Sequence, residues 1–407
     1  MNLEIQINNS AGPNARFVTW APSPCRIRVT NPSGAITPTV NVQISSVSAA
    51  SAGAVVFRGN NTGAFSNSIT VAVPINGASV PFFVAGKFGR PSLNNGDVRI
   101  EARSGTTLVG SISVTVRIRK NANRLTPGER DRLLGAFGQL NNQGLGRFAD
   151  FRDMHTNVSS PQAHGAPGFL PWHRAYLLDL ERELQAIDQS VSLPYWRFDQ
   201  PAPNIFTRDF LGVSDSLGTV GFGSSNPLQF WRTDGVPGIN RRPFFNTSQA
   251  PPFLLTELQT LALGQLYRQF RTLEGNPHGS AHVSFGGVIS SINTAARDPL
   301  FFLLHCNVDR LWAKWQRQNS RFDPAVASSY DSTAQSPIGH NLPDTMWPWN
   351  GITGGQRPPT APGGALAQSP CASAPGAQPQ VRQCLDYQGA VNAVSRMGFD
   401  YDDVPFV

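Results

Sequence analysis

Lysine is nearly missing from this 407-residue chain. Only Lys87, Lys120 and Lys314 occur among 33 basic residues, so arginine carries the formal charge of +7. Those arginines are scattered and form no run of like charge, which excludes a nucleic-acid patch. No apolar stretch approaches the ~20 residues a membrane helix needs, so no membrane partner is expected. The N-terminus, MNLEIQINNS, lacks a basic start followed by an apolar core and is not a Sec-type signal. The expectation is a soluble, cytoplasmic chain unless a partner exports it. Cysteine is scarce: Cys25, Cys306, Cys371 and Cys384 include no CxxC pair, which excludes a zinc ribbon or a disulfide framework. Cys371 and Cys384 are open to two readings, a late disulfide or two free thiols.

Histidine is absent from the first 118 residues. That portion consists instead of short β-branched runs such as LEIQINN, CRIRVTNP, TVNVQISSV and GSISVTVRIR, separated by Gly, Asn, Ser and Pro clusters. Seven or eight strands at this spacing predict an antiparallel, immunoglobulin-like β-sandwich over 1–118, of unknown role. From 119 the period changes. Thr126 reads as an N-cap, Pro127 as the first helical residue and Glu129 as the partner in a capping box. Further helices are expected at about 171–189, 255–273, 278–292 and 298–318, giving a mainly α-helical second domain over 119–407. Residues 352–383, rich in Gly, Pro, Ala and Gln, read as an extended surface loop.

Six of the seven histidines fall into two trios. His155, His164 and His173 are spaced nine and nine; His278 and His282 are four apart and are followed by His305. An i,i+4 pair lies on one helical face, close enough for both rings to meet one ion. His305 sits in DPLFFLLHCNVDRLW, a segment so apolar that the ring must be buried and must therefore find a partner. All-imidazole sites suit copper, zinc, iron or nickel. HGSAH is not the HExxH of a zinc protease, because no glutamate follows His278. Two all-histidine sites with no bridging carboxylate favour a pair of copper ions that binds dioxygen. His340, in SPIGHNLPD, stands outside both trios and reads as a loop residue.

The segments HGAPGFLPWHRAYLLDLERELQ and EGNPHGSAHVSFGG…DPLFFLLHCNVDRLWAKWQ resemble the two copper-binding signatures of type-3 copper proteins: tyrosinases, catechol oxidases (polyphenol oxidases) and molluscan haemocyanins. The resemblance covers roughly 119–407 and implies a helical core built round a four-helix bundle. His155, His164 and His173 would hold one copper ion, and His278, His282 and His305 the second. Glu181 matches the glutamate of HRxxLxxxE. Asp309 would orient a ligand imidazole through its second ring nitrogen. Glu274 matches the ExxPH pattern, where the glutamate holds a water. Ile292 falls where the family places a gate residue. Tyr401, in FDYDD, resembles the aromatic motif that closes the core.

The resemblance implies an oxidase that uses dioxygen to convert small o-diphenols to o-quinones. Gly279 stands where many bacterial tyrosinases have Asn, which puts monophenol hydroxylation in question. No cysteine lies near His164, so the thioether bond of fungal and plant members cannot form locally. No shielding domain follows the aromatic motif, so the sandwich is expected to shield or dock at the site instead. A haemocyanin-like dioxygen-binding protein and an o-aminophenol oxidase are the alternatives. The small residues Gly279, Ser280, Gly286 and Gly287 argue for room for an aromatic ring. The sequence offers no reading of oligomeric state.

Overall fold

The strands of the first unit are set by strict alternation. In β1 (Leu3–Ile7) the side chains of Leu3, Ile5 and Ile7 are buried and those between them are not. Strand β3 (Ser23–Val29) repeats the pattern with Cys25, Ile27 and Val29 inward. A computed structural model describes the chain except for residues 33–37, 142–145, 332–336, 355–365 and 367–368. It contains two further strands beside these, β5 (Val55–Arg58) and β7 (Val80–Gly86), forming a four-stranded sheet in the order β1-β3-β7-β5. A five-stranded sheet runs β2-β9-β8-β4-β6, from β2 (Phe17–Val18), β4 (Thr39–Val47), β6 (Ser68–Pro74), β8 (Val98–Ser104) and β9 (Thr107–Val116). The pairings are antiparallel except β2 with β9. Ile27 and Phe82 of one sheet and Ile44, Ile100 and Val114 of the other share one buried cluster.

Two units emerge from the contacts: residues 1–118 with 369–373 and 388–407, and residues 119–368 with 374–387. The C-terminal stretch thus differs from its expected place in the second domain. The reason is a set of buried hydrogen bonds. Asp400 Oδ2 accepts the backbone N–H groups of Trp20 at 2.8 Å and Ala21 at 3.2 Å, and Trp20 Nε1 donates to the Tyr401 carbonyl at 2.8 Å. Gln388 Nε2 donates to Asp400 Oδ1 at 2.7 Å, and Arg396 Nη1 donates to the Pro22 carbonyl at 2.6 Å.

The second unit contains helices α1 (Pro127–Asn141), α2 (Phe148–Met154), α3 (Ser160–Ala163), α4 (Phe169–Ile187), α5 (Glu257–Leu261), α6 (Tyr267–Phe270), α7 (Ser280–Ser284) and α8 (Leu300–Asn319). The capping box forms: Thr126 N–H donates to Glu129 Oε2 at 2.9 Å, and Glu129 N–H to Thr126 Oγ1 at 3.3 Å. Helix α4 packs on α8 and α1. Helix α8 begins where Asp298 Oδ1 accepts the Leu300 N–H at 2.9 Å. The expected continuous helices at 255–273 and 278–292 are instead broken into short turns. Gly286 and Gly287 have φ of 51° and 63°, and a Cβ on Gly287 would meet the Asn240 carbonyl oxygen at 2.3 Å. Only glycine allows that backbone approach, and it ends α7. Of the expected loop 352–383, residues 355–365 and 367–368 lie outside the described residues. The remainder is not all surface: Leu366, Cys371, Ala374 and Val381 are buried. All four cysteines are free thiols, and Cys371 Sγ donates to the Asn14 carbonyl. No described helix is long and apolar enough to cross a membrane.

Asp400→Ala would strand two backbone N–H groups and the Gln388 amide inside the first unit. The expected cost is about 3 kcal/mol, at ~1–3 kcal/mol per unsatisfied buried donor, read as a lower urea midpoint for the strand unit. An unchanged midpoint would refute the role given to this carboxylate.

Candidate metal centre

Each histidine of the trios is delivered by a helix end or a buried helix. His155 caps the C-terminus of α2, and His164 caps that of α3, where its N–H donates to the Ser160 carbonyl at 2.8 Å. His173 lies in the first turns of α4. His278 lies in the turn Gly275–Gly279, and His282 one turn later in α7. His305 comes from the middle of α8 and is fully buried. In each trio the candidate ligand atoms lie within 4.8 Å of one another. The trios adjoin: the His173 and His305 rings stack with centroids 4.2 Å apart and planes 9° apart. Phe301, a turn before His305, packs on it at 4.2 Å and on His155 at 4.6 Å.

Backbone carbonyls decide which way the rings face. His155 Nδ1–H donates to the Ile292 carbonyl at 3.1 Å, and His173 Nδ1–H to the Phe169 carbonyl at 2.8 Å. His278 Nδ1–H donates to the Glu274 carbonyl at 2.7 Å, and His282 Nδ1–H to the Ile289 carbonyl at 2.9 Å. A carbonyl can only accept, so each of these rings carries its proton on Nδ1 and presents a bare Nε2 lone pair. The Nε2 atoms of His155 and His173 are buried with no hydrogen-bond partner among the described residues. The Nε2 atoms of His278 and His282 lie 3.3 Å and 3.1 Å from His305 Nε2. Converging lone pairs repel unless a cation sits among them, and six imidazole nitrogens are a donor set suited to copper. The residues present therefore fit two metal ions, one for each trio.

A cavity of ≈ 270 Å³ reaches His155, His164, His278 and His282, walled by Ile289, Ala295 and Ser290. Its rim is apolar: Val283 is 55 % and Ile292 41 % exposed. Glu274 and Gly279 also line it. Glu274 Oε1 accepts the Gly165 N–H at 2.7 Å, and burial raises its pKa above the ordinary carboxylate value. Gly279 is open on its cavity side, since a Cβ there would meet nothing nearer than the Glu274 carbonyl oxygen at 3.4 Å.

Asp309, expected to orient a ligand imidazole, lies outside the cavity and among the described residues holds no ligand ring. Its carboxylate accepts from Arg174 Nε at 2.6 Å and Arg119 Nη1 at 3.3 Å, while His305 Nδ1 has no partner among the described residues. Arg119 also pairs with Glu181 at 2.8 Å, so both acidic residues belong to one buried ion network between α4, α8 and the start of the unit. Two guanidinium groups simply outcompete a neutral ring for a carboxylate. The sequence reading missed the four carbonyls, because a backbone acceptor has no residue-type signature.

Residues 145–318 match the family model described as the common central domain of tyrosinase. The chain is 34% identical to the tyrosinase of Streptomyces glaucescens over 263 residues, which span 57% of this chain and 92% of that one. The chain belongs to the tyrosinase family of type-3 copper proteins. It is a copper-dependent oxidase, and the family's centre is binuclear. Grixazone synthase of Streptomyces griseus is another relative, 28% identical over 55% of this chain and 93% of its own. In fold, the chain is similar to deoxygenated hemocyanin from Rapana thomasiana, with a TM-score of 0.50 and 22% identity over 71% of this chain and 70% of that one. The tyrosinase motif residues fall on the two trios that meet at the cavity.

Burial sets how the tyrosinase-type centre responds to acid. It lowers His155 to about 3, His164 to about 2 and His282 to about 4, and lowers the other three well below 6.5. Neighbouring imidazoles add to the effect at His155, His164, His173, His278 and His305. Since the folded values lie below the unfolded one, the neutral rings contribute stability above pH 6.5 that is lost as pH falls toward the folded values. The metal-free chain is expected to lose up to ~1.4 kcal/mol per pH unit for each ring below about pH 6.5. Urea unfolding of metal-free protein at pH 7 and pH 5 tests this; equal stability at both would contradict the arrangement.

Proposed function

We propose that this chain oxidises small o-diphenols to o-quinones with dioxygen, at the cavity bounded by the two histidine trios. The observation that carries the reading is the cavity itself, since a pocket of roughly 150 Å³ already holds a benzene ring. Its volume of ≈ 270 Å³ leaves room for a ring with substituents beside four of the six imidazoles. In this reading His155, His164 and His173 hold one copper ion and His278, His282 and His305 the other. Bound copper supplies the two-electron exchange between diphenol and dioxygen. The chain's own residues fix the nitrogens, exclude bulk water on the buried side and handle protons. Ile292 acts as the gate at the rim, with its side chain toward the cavity mouth and its carbonyl on His155.

Glu274 is the proton acceptor. It is the one carboxylate among the described lining residues, and burial moves its pKa toward neutrality, where a general base works best. Because the pKa is raised, base function is lost as pH falls through it. Neither lysine nor arginine lines the described cavity, so a neutral phenol suits it better than one bearing a carboxylate. The same reading takes the two sheets of 1–118 as an immunoglobulin-like sandwich, and α4 and α8 as half of a four-helix core.

Copper-loaded protein given catechol, L-DOPA and tyrosine should form quinone fastest from catechol, followed spectrophotometrically. Quinone from none of them, with two coppers bound, would leave a dioxygen carrier as the reading. Glu274→Gln should lower kcat by about 10²-fold, the lower end of the general-base range, with copper content unchanged. Full activity in that variant would remove Glu274 from the chemistry.

A further inference from the structure

His340 belongs to neither trio, yet its side chain is fully buried. Its two ring nitrogens face two different elements. Nδ1 accepts the N–H of Gly168, the residue that precedes α4, at 3.0 Å. Nε2–H donates at 2.7 Å to the carbonyl of Pro161, inside α3. The ring is thereby fixed in one tautomer and bridges the end of α3 to the start of α4. The chain between those two points is the turn that carries His164, and α4 carries His173 five residues after Gly168.

The fit is close enough to restrict the residue opposite. A Cβ on Gly168 would fall 2.4 Å from His340 Nδ1, so glycine alone lets the ring approach. The segment that supplies the ring is held in turn. Gln162 Nε2 donates to the Ile338 carbonyl at 2.7 Å, and Tyr330 Oη donates to the His340 carbonyl at 2.7 Å. Asp344 Oδ2 accepts the N–H groups of Gly339 at 2.7 Å and Asn341 at 3.1 Å.

We propose that His340 is a positioning residue for the first trio: its imidazole clamps the α3–α4 turn so that His164 meets His155 and His173 at one metal ion. The proposal rests on the reading of that trio as a copper site. Residues that position ligands govern how firmly a metal is held, by about 10–100-fold in affinity when lost. His164 has special need of such support. Like His155 it stands at the end of a short helix, but its Nδ1 has no partner among the described residues, whereas His155 and His173 are tied to carbonyls.

The test is copper retention by the full chain under a chelator, read by metal analysis and by electron paramagnetic resonance of the oxidised protein. His340→Phe keeps a planar aromatic ring and removes both hydrogen bonds. It should shed one copper at least about tenfold faster than the second and leave a lone Cu(II) signal, which a coupled pair does not give. His340→Gln can still accept from Gly168 and donate to Pro161, and should restore wild-type retention. If His340→Phe does not fold, Gly168→Ala, which pushes the ring aside, is read on the same scale. Two coppers held as in the wild type, or two lost together from folded protein, would overturn the proposal. A wild-type chain that binds no copper would instead overturn the reading of the trios.

Discussion

Everything at the centre depends on where four imidazole protons go. The Nδ1–H groups of His155, His173, His278 and His282 each donate to a main-chain carbonyl, and the opposite nitrogens are left as lone pairs turned inward. Side-chain carboxylates commonly do this work at metal sites. A carbonyl does it without adding a negative charge, so the donor set stays neutral and the charge of the bound ions is not offset by the protein. The orientation is also hard to lose, because the acceptors belong to the backbone of α4 and of the turns beside α7.

The same economy of charge is visible farther along α8. His305 and Asp309 are one turn apart on a single helix, but they face different surroundings. The imidazole packs among aromatic rings, stacked on His173 and Phe301. The carboxylate joins Arg119, Arg174 and Glu181, all essentially excluded from solvent. Removing one member of such a buried network leaves an uncompensated charge, which typically costs ~3–5 kcal/mol. Arg174 is further enclosed by Trp312, whose ring centroid lies 3.7 Å from its guanidinium carbon. The network fixes α4 against α8, and one histidine of each trio, His173 and His305, rides on the two helices it joins.

Side-chain chemistry was legible in the sequence to the extent that spacing and residue type encode it. The two trios adjoin each other, and a cavity lined by Glu274, Gly279 and Ile292 reaches four of their six rings. The Thr126–Glu129 capping box and the alternating strands were equally readable, because each is a local pattern with a local cause. Other features were not. Asp309 sits four residues from His305, which suggests a partner, but its true partners come from residue 119 and from α4, far away in sequence. The helices expected at 255–273 and 278–292 have the right periodicity, yet Gly286 and Gly287 adopt conformations that stop α7. His340 sits in a stretch of turn residues that looks solvated, and its burial depends on Gly168 leaving space for a ring.

The tie between Trp20 and Asp400 has a consequence for biosynthesis. Its donor and acceptor are 380 residues apart, so the strand unit is interrupted by nearly the whole of the histidine-bearing unit. During translation at ~5–20 residues per second, Trp20 waits about 20–80 s for its acceptor to leave the ribosome. The strand unit is therefore completed only after nearly all of the histidine-bearing unit has been made.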